Sequence, residues 1–175
     1  MKKFFIITFV LGCVLSTAHS SLINLNFMVK TITGRNAIMY VGYGCYCGLG
    51  GSGEPKDLMD WCCHEHDCCY QKLFDHGCHP FLDPYEYTIE NKEVMCKTVN
   101  VTECDQMTCE CDKNIAQCFQ NNRYNYDYRN YSNFHCTGPM PNCSIYEPPP
   151  EMPPEMSPEI FTCPPPLSPG SSVLP

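Results

Sequence analysis

The stretch Asp60-Trp61-Cys62-Cys63-His64-Glu65-His66-Asp67-Cys68-Cys69-Tyr70 decides how the rest of the chain is read. From Lys56 to Tyr70 there is neither glycine nor proline, so nothing interrupts backbone hydrogen bonding and the segment reads as a helix. Upstream, Tyr43 to Gly53 holds five glycines and reads as a loop, because glycine weakens helices and reaches backbone angles closed to other residues. Downstream, Pro80 and Pro84 mark a looped section, Tyr85 to Met95 suits a small β-hairpin, and Cys104 to about Phe119 suits a second long helix with Cys111, Ile115 and Cys118 along one side. Leu22, Leu25, Met28 and Val29 recur at helical spacing and predict a short N-terminal helix. The expected fold class is mostly α and disulfide-rich.

Residues 1–20 carry Lys2 and Lys3, an apolar run from Phe4 to about Leu15, and Ala18-His19-Ser20. This is the pattern of a signal peptide cleaved before Ser21. The apolar run is shorter than the roughly 20 residues that span a bilayer. Cleavage takes Lys2 and Lys3 from the eleven basic residues and none of the nineteen acidic ones, so the formal charge moves from −8 to about −10. An acidic chain with no broad basic face is not expected to bind nucleic acid, and should bind heparin-like polyanions weakly. Fourteen of the sixteen cysteines lie between Cys45 and Cys143, a density that implies an oxidising, extracellular setting. Sequons at Asn100, Asn130 and Asn142 suit a secreted glycoprotein. From Ile145 the composition shifts to Pro, Glu, Met and Ser, so residues 144–175 are expected to be a disordered extension of a 21–143 domain. Its Cys163 is either a capped thiol or a disulfide link between two chains.

The loop Tyr43-Gly44-Cys45-Tyr46-Cys47-Gly48-Leu49-Gly50-Gly51, followed by the Cys-Cys-x-x-His-Asp-Cys-Cys-Tyr helix and by Cys109-Glu110-Cys111-Asp112, closely resembles the secreted phospholipase A2 family. The resemblance covers Ser21 to Cys143. It points to the group II branch and, through the acidic balance and Pro-rich extension, most to group IIF. It implies the disulfides Cys45–Cys136, Cys47–Cys63, Cys62–Cys118, Cys68–Cys143, Cys69–Cys111, Cys78–Cys104 and Cys96–Cys109. In that pattern, the step from Cys62 to Cys69 is matched by an equal step back from Cys118 to Cys111, as two antiparallel helices require. The two bridges then lie about 10 Å apart along the axis with His66 between them, and Asp112 falls within about 3 Å of His66 in level.

The resemblance further implies a peripheral enzyme that hydrolyses the sn-2 ester of glycerophospholipids in membranes or lipoproteins, releasing fatty acid and lysophospholipid. His66 would be the general base on water, oriented by Asp112. The Tyr46, Gly48 and Gly50 carbonyls and the Asp67 carboxylate would bind Ca²⁺. The Gly48 N–H would support the oxyanion, Tyr70 and Tyr85 would support the aspartate, and Leu22, Leu25, Met28 and Val29 would line the acyl entrance. Other readings compete, among them His66 as a hydrogen-bonded core histidine and a disulfide-rich structural domain, which leave the glycine loop and Asp67 without a reason. His64 and His66 among cysteines also suit zinc, although secretion favours disulfides. The same scaffold can also serve as a non-catalytic receptor ligand, but both His66 and Asp67 are intact. His64 and Glu65 are expected to be exposed helix residues.

Overall fold

Asp57 sets where the central helix begins. Its side chain accepts the Asp60 N–H at 2.9 Å, satisfying one of the donors that a helix start leaves free. The helix therefore opens at Leu58 rather than Lys56. It continues past Tyr70 to Asp75, where Gly77, at φ +80°, returns its N–H to the Phe74 carbonyl and ends it. The computed structural model describes residues 21–147. The expectations for the 1–20 leader, for the Pro-rich segment from 148 onward and for Cys163 lie outside the described residues.

In chain order the elements are α1 (Ser21–Thr33), α2 (Leu58–Asp75), β1 (Tyr87–Glu90), β2 (Glu93–Cys96) and α3 (Glu103–Asn121). Single 3₁₀ turns lie at Ala37–Met39, Tyr126–Tyr128, Asn133–His135 and Cys143–Tyr146. Thr102 and Asp105 form a reciprocal capping box that starts α3. β1 and β2 pair antiparallel from Tyr87 opposite Cys96 to Glu90 opposite Glu93. Asn91 and Lys92 turn the hairpin at φ +50° and +66°, the backbone that a tight two-residue turn demands. Among the described residues the fold is helix-rich with one small two-stranded sheet, in keeping with the expected class. No helix of the described residues is long and apolar enough to cross a membrane.

Among the described residues the seven disulfides are Cys45–Cys136, Cys47–Cys63, Cys62–Cys118, Cys68–Cys143, Cys69–Cys111, Cys78–Cys104 and Cys96–Cys109. Cys62–Cys118 and Cys69–Cys111 clamp α2 to α3. The apolar core lies beside this pair, where Met28, Val29 and Ile32 of α1 meet Met59, Tyr40, Tyr43, Ala116 and Phe119. Tyr40 stacks on Phe119 with ring centroids 4.0 Å apart, so aromatic area does much of the work that aliphatic side chains do in larger domains. The N-terminal stripe divides: Met28 and Val29 are fully buried in this core, Leu25 packs against its edge, and Leu22 faces outward.

Candidate active site

The two cystines that clamp α2 to α3 bracket His66, and the seam between them holds a polar cluster. The His66 Nε2 lies 2.8 Å from the Asp112 Oδ1. Asp112 is completely buried. Tyr70 donates its hydroxyl to the same Oδ1 at 2.7 Å, and Tyr85 donates to Oδ2 at 2.5 Å. A carboxylate only accepts, so Nε2 carries the proton and the Nδ1 of a neutral ring keeps a free lone pair. Burial, and then the charge of Asp112, push the pKa values of both tyrosines far up, which keeps them as donors. Three donors on one buried carboxylate fix both its position and that of the imidazole.

The glycine loop is pinned to the same helix. Cys47–Cys63 ties it to α2, and Cys45–Cys136 ties it to the C-terminal segment. Asp60, also fully buried, accepts the N–H groups of Cys45 at 2.7 Å, Tyr46 at 2.9 Å and Lys56 at 2.9 Å. Gly44, at φ +58°, leaves the room this needs, since a Cβ there would overlap the Asp60 carboxyl. Gly48 and Gly50 also have positive φ, +144° and +71°. Among the described residues no backbone N–H bonds to the carbonyls of Tyr46, Gly48 or Gly50. Burial pushes the Asp67 carboxyl up to about 6, His66 pulling against the rise and Asp60 adding to it. Backbone carbonyls and a carboxylate in want of positive charge are hard oxygen donors of the kind Ca²⁺ takes. The residues therefore fit that ion.

They do not fit zinc. The imidazoles of His64 and His66 engage different partners, and the fourteen cysteines of the described residues are all paired, leaving no thiolate beside either ring.

His64 departs from its expected exposure, being only 3% exposed. Its Nδ1 meets the Tyr146 hydroxyl at 2.8 Å and its Nε2 meets the Pro141 carbonyl at 3.2 Å. The reason lies far along the chain. Cys68–Cys143 brings the C-terminal segment over this face of α2, and Ser144 to Tyr146, on the tail side of the expected boundary, fold there as part of a 3₁₀ turn. Glu65 is partly exposed. Sequence reasoning also passed over Asp60, although an acid three residues after a capping Asp57 and across from a glycine-rich loop was the available signal.

A family model for phospholipase A2 matches residues 22–129. The chain belongs to the phospholipase A2 family. It is 62% identical over 153 residues to human group IIF secretory phospholipase A2, a span covering 86% of this chain and 91% of that protein. Identity to the mouse group IIF protein is 58% over the same share of each chain. Human group IIE secretory phospholipase A2 is 46% identical over 125 residues, or 70% of this chain and 87% of that protein. The likeness to group IIF thus rests on length as well as identity, and the chain is a phospholipase A2 enzyme. The family match of this phospholipase A2 contains the loop, His66, Asp67 and Asp112, but ends at Arg129, before Cys136, Cys143 and Tyr146.

Proposed function

We propose that this phospholipase A2 is a secreted, calcium-dependent hydrolase of the sn-2 ester of glycerophospholipids, working at membrane or lipoprotein surfaces and releasing fatty acid and lysophospholipid. The observation that carries the reading is the His66–Asp112 contact at 2.8 Å, with Tyr70 and Tyr85 completing the carboxylate's shell.

Asp112 holds the Nε2–H tautomer, so the His66 Nδ1 takes a proton from water as that water's oxygen adds to the sn-2 carbonyl carbon. On collapse of the tetrahedral intermediate, the protonated ring returns the proton to the departing glycerol oxygen. No serine or cysteine nucleophile is needed. Tyr46, Gly48 and Gly50, through their carbonyls, and Asp67 would hold Ca²⁺, which when bound supplies positive charge for the substrate phosphate and the carbonyl oxygen. The Gly48 N–H supports the same oxyanion. Leu22 and Leu25 offer apolar surface at the approach, with Met28 and Val29 as the wall behind them. The formal charge of −8 makes contact with lipid mainly apolar, with weak heparin binding and no nucleic-acid partner. The exposed Asn100, Asn130 and Asn142 are its candidate glycan acceptors.

The test is fatty-acid release from vesicles whose sn-2 chain is distinguishable, with calcium or with chelator, for wild type, His66→Gln and Asp67→Lys. Release should need calcium and be lost in both variants. Calcium-independent release, survival of activity in His66→Gln, or equal release from sn-1 would overturn the reading. A protein with no release under any condition would instead be the non-catalytic ligand.

A further inference from the structure

We infer that Tyr146, acting through His64, positions the ring of Tyr46 and so sets the calcium affinity of the glycine loop. The inference rests on the proposed role of that loop.

The Tyr46 ring is the form around which the loop is wrapped. Its hydroxyl donates to the Gly53 carbonyl at 2.5 Å, tying the end of the loop back to its start. Gly51 passes so close to the ring that a Cβ would overlap it. Moving the ring therefore moves the backbone between Tyr46 and Gly53, whose carbonyls are the ion's candidate ligands.

Behind the ring stands His64. Its imidazole meets the Tyr46 ring edge-on, with centroids 4.7 Å apart and planes at 88°. His64 cannot swing, because both its nitrogens are taken. A carbonyl only accepts, so Nε2–H donates to Pro141, and Nδ1 of the neutral ring must then accept the Tyr146 hydroxyl. Burial raises the Tyr146 hydroxyl to about 12, with the charge of Glu65 adding to the rise, which keeps it a donor. Both partners belong to the C-terminal segment, held on α2 by Cys68–Cys143 and at the loop by Cys45–Cys136. The far end of the loop leans on the same segment, where the Glu54 N–H donates to the Thr137 carbonyl at 3.1 Å. The series runs from the C-terminal segment to Tyr146, His64, the Tyr46 ring and the loop. His64 and Tyr146 are thus positioning residues, acting on the loop through the Tyr46 ring.

Calcium titration calorimetry on the disulfide-intact secreted protein tests this, with wild type, Tyr146→Phe, His64→Phe, the double variant and Tyr126→Phe. The last removes a surface hydroxyl that meets only Arg35 among the described residues. Trp61, the single tryptophan, lies 5.5 Å from His64 and gives a second readout by emission. Tyr146→Phe and His64→Phe should each weaken Kd about five- to tenfold, the scale of one buried hydrogen bond. The double variant should be no weaker than His64→Phe, because the two act in series. Tyr126→Phe should match wild type, and lipid hydrolysis at saturating calcium should stay within about twofold in Tyr146→Phe. If wild type binds calcium and neither variant shifts Kd, or if the two shifts add, the inference fails while the loop reading stands. If wild type itself takes up no calcium, both fail.

Discussion

Replacing Asp60 by asparagine changes one atom and should unseat the glycine loop. In the native protein, Oδ2 accepts from Cys45 and Lys56 and Oδ1 accepts from Tyr46. An asparagine has one oxygen for these two positions. With its carbonyl in the Oδ2 place, two bonds survive, each weaker by about 1 kcal/mol for want of charge. Its NH₂ then faces the Tyr46 N–H, donor against donor, and a buried donor left unmet costs about 1–3 kcal/mol. The reverse flip is worse, because it leaves two N–H groups unmet. The expected loss is therefore about 3–5 kcal/mol. Urea unfolding with the disulfides intact measures it by linear extrapolation. Asp83→Asn is the reference, since that carboxylate accepts the His79 N–H at the surface, where water can replace it. A loss below about 1 kcal/mol for Asp60→Asn, or one no larger than for Asp83→Asn, would refute the account of the loop.

Calcium affinity should depend on pH through Asp67, whose carboxyl is raised from its ordinary 3.8 to about 6. The ion takes the ionised form, so affinity is full at pH 8 and about tenfold weaker at pH 5; a Kd flat across that range in direct titration would contradict this. A raised carboxylate pKa also means that its contribution to folding is present at low pH and lost as pH rises through about 6. Added calcium should therefore raise Tm more at pH 8 than at pH 5, as read by calorimetry. Gly44→Ala should destabilise by about 3 kcal/mol or more, combining left-handed backbone with the Asp60 overlap, while Gly50→Ala, with open space around it, should cost only the backbone's roughly 1–2 kcal/mol; equal losses in urea unfolding would mean that the overlap does not matter. Tyr85→Phe removes a donor from Asp112 and should lower kcat several-fold with KM nearly unchanged, against about 10²-fold or more for His66→Gln; equal losses in steady-state kinetics would mean that Tyr85 does more than support.

The fold was legible where chemistry is written locally. Paired cysteines at Cys62/Cys63 and Cys68/Cys69 lie on a run without breakers that reads as a helix, and the disulfide pattern that the family resemblance implies carries its register to α3 through equal steps of seven residues. From this the level of Asp112 beside His66 follows, and the structure puts them at hydrogen-bond distance. Helix ends were less legible: the motif stops at Tyr70, but only Gly77 ends the backbone pattern. Asp60 escaped notice because its partners are main-chain N–H groups, which leave no mark on side-chain identity. His64 escaped because its partner Tyr146 is 82 residues away, in a stretch whose composition reads as tail. Polar residues read as surface by default, and only tertiary contact overrides that.

The seam between α2 and α3 has an unusual construction for the centre of a small domain, and the disulfides explain how it persists. Asp112, Tyr70, Tyr85 and His66 occupy space that two packed helices ordinarily fill with aliphatic side chains. A buried carboxylate stabilises little by itself, because its desolvation offsets most of what its hydrogen bonds return. An unclamped seam would gain by separating enough to admit water, and the imidazole would then lose its fixed tautomer. Cys62–Cys118 and Cys69–Cys111 remove that option on either side of His66. With the spacing imposed covalently, the apolar core can move aside to Met28, Tyr40 and Phe119, and the middle of the helix pair is free to be chosen for chemistry. Breaking one clamp should then harm catalysis more than its share of stability, because the fixed tautomer of His66 depends on the seam staying closed around Asp112.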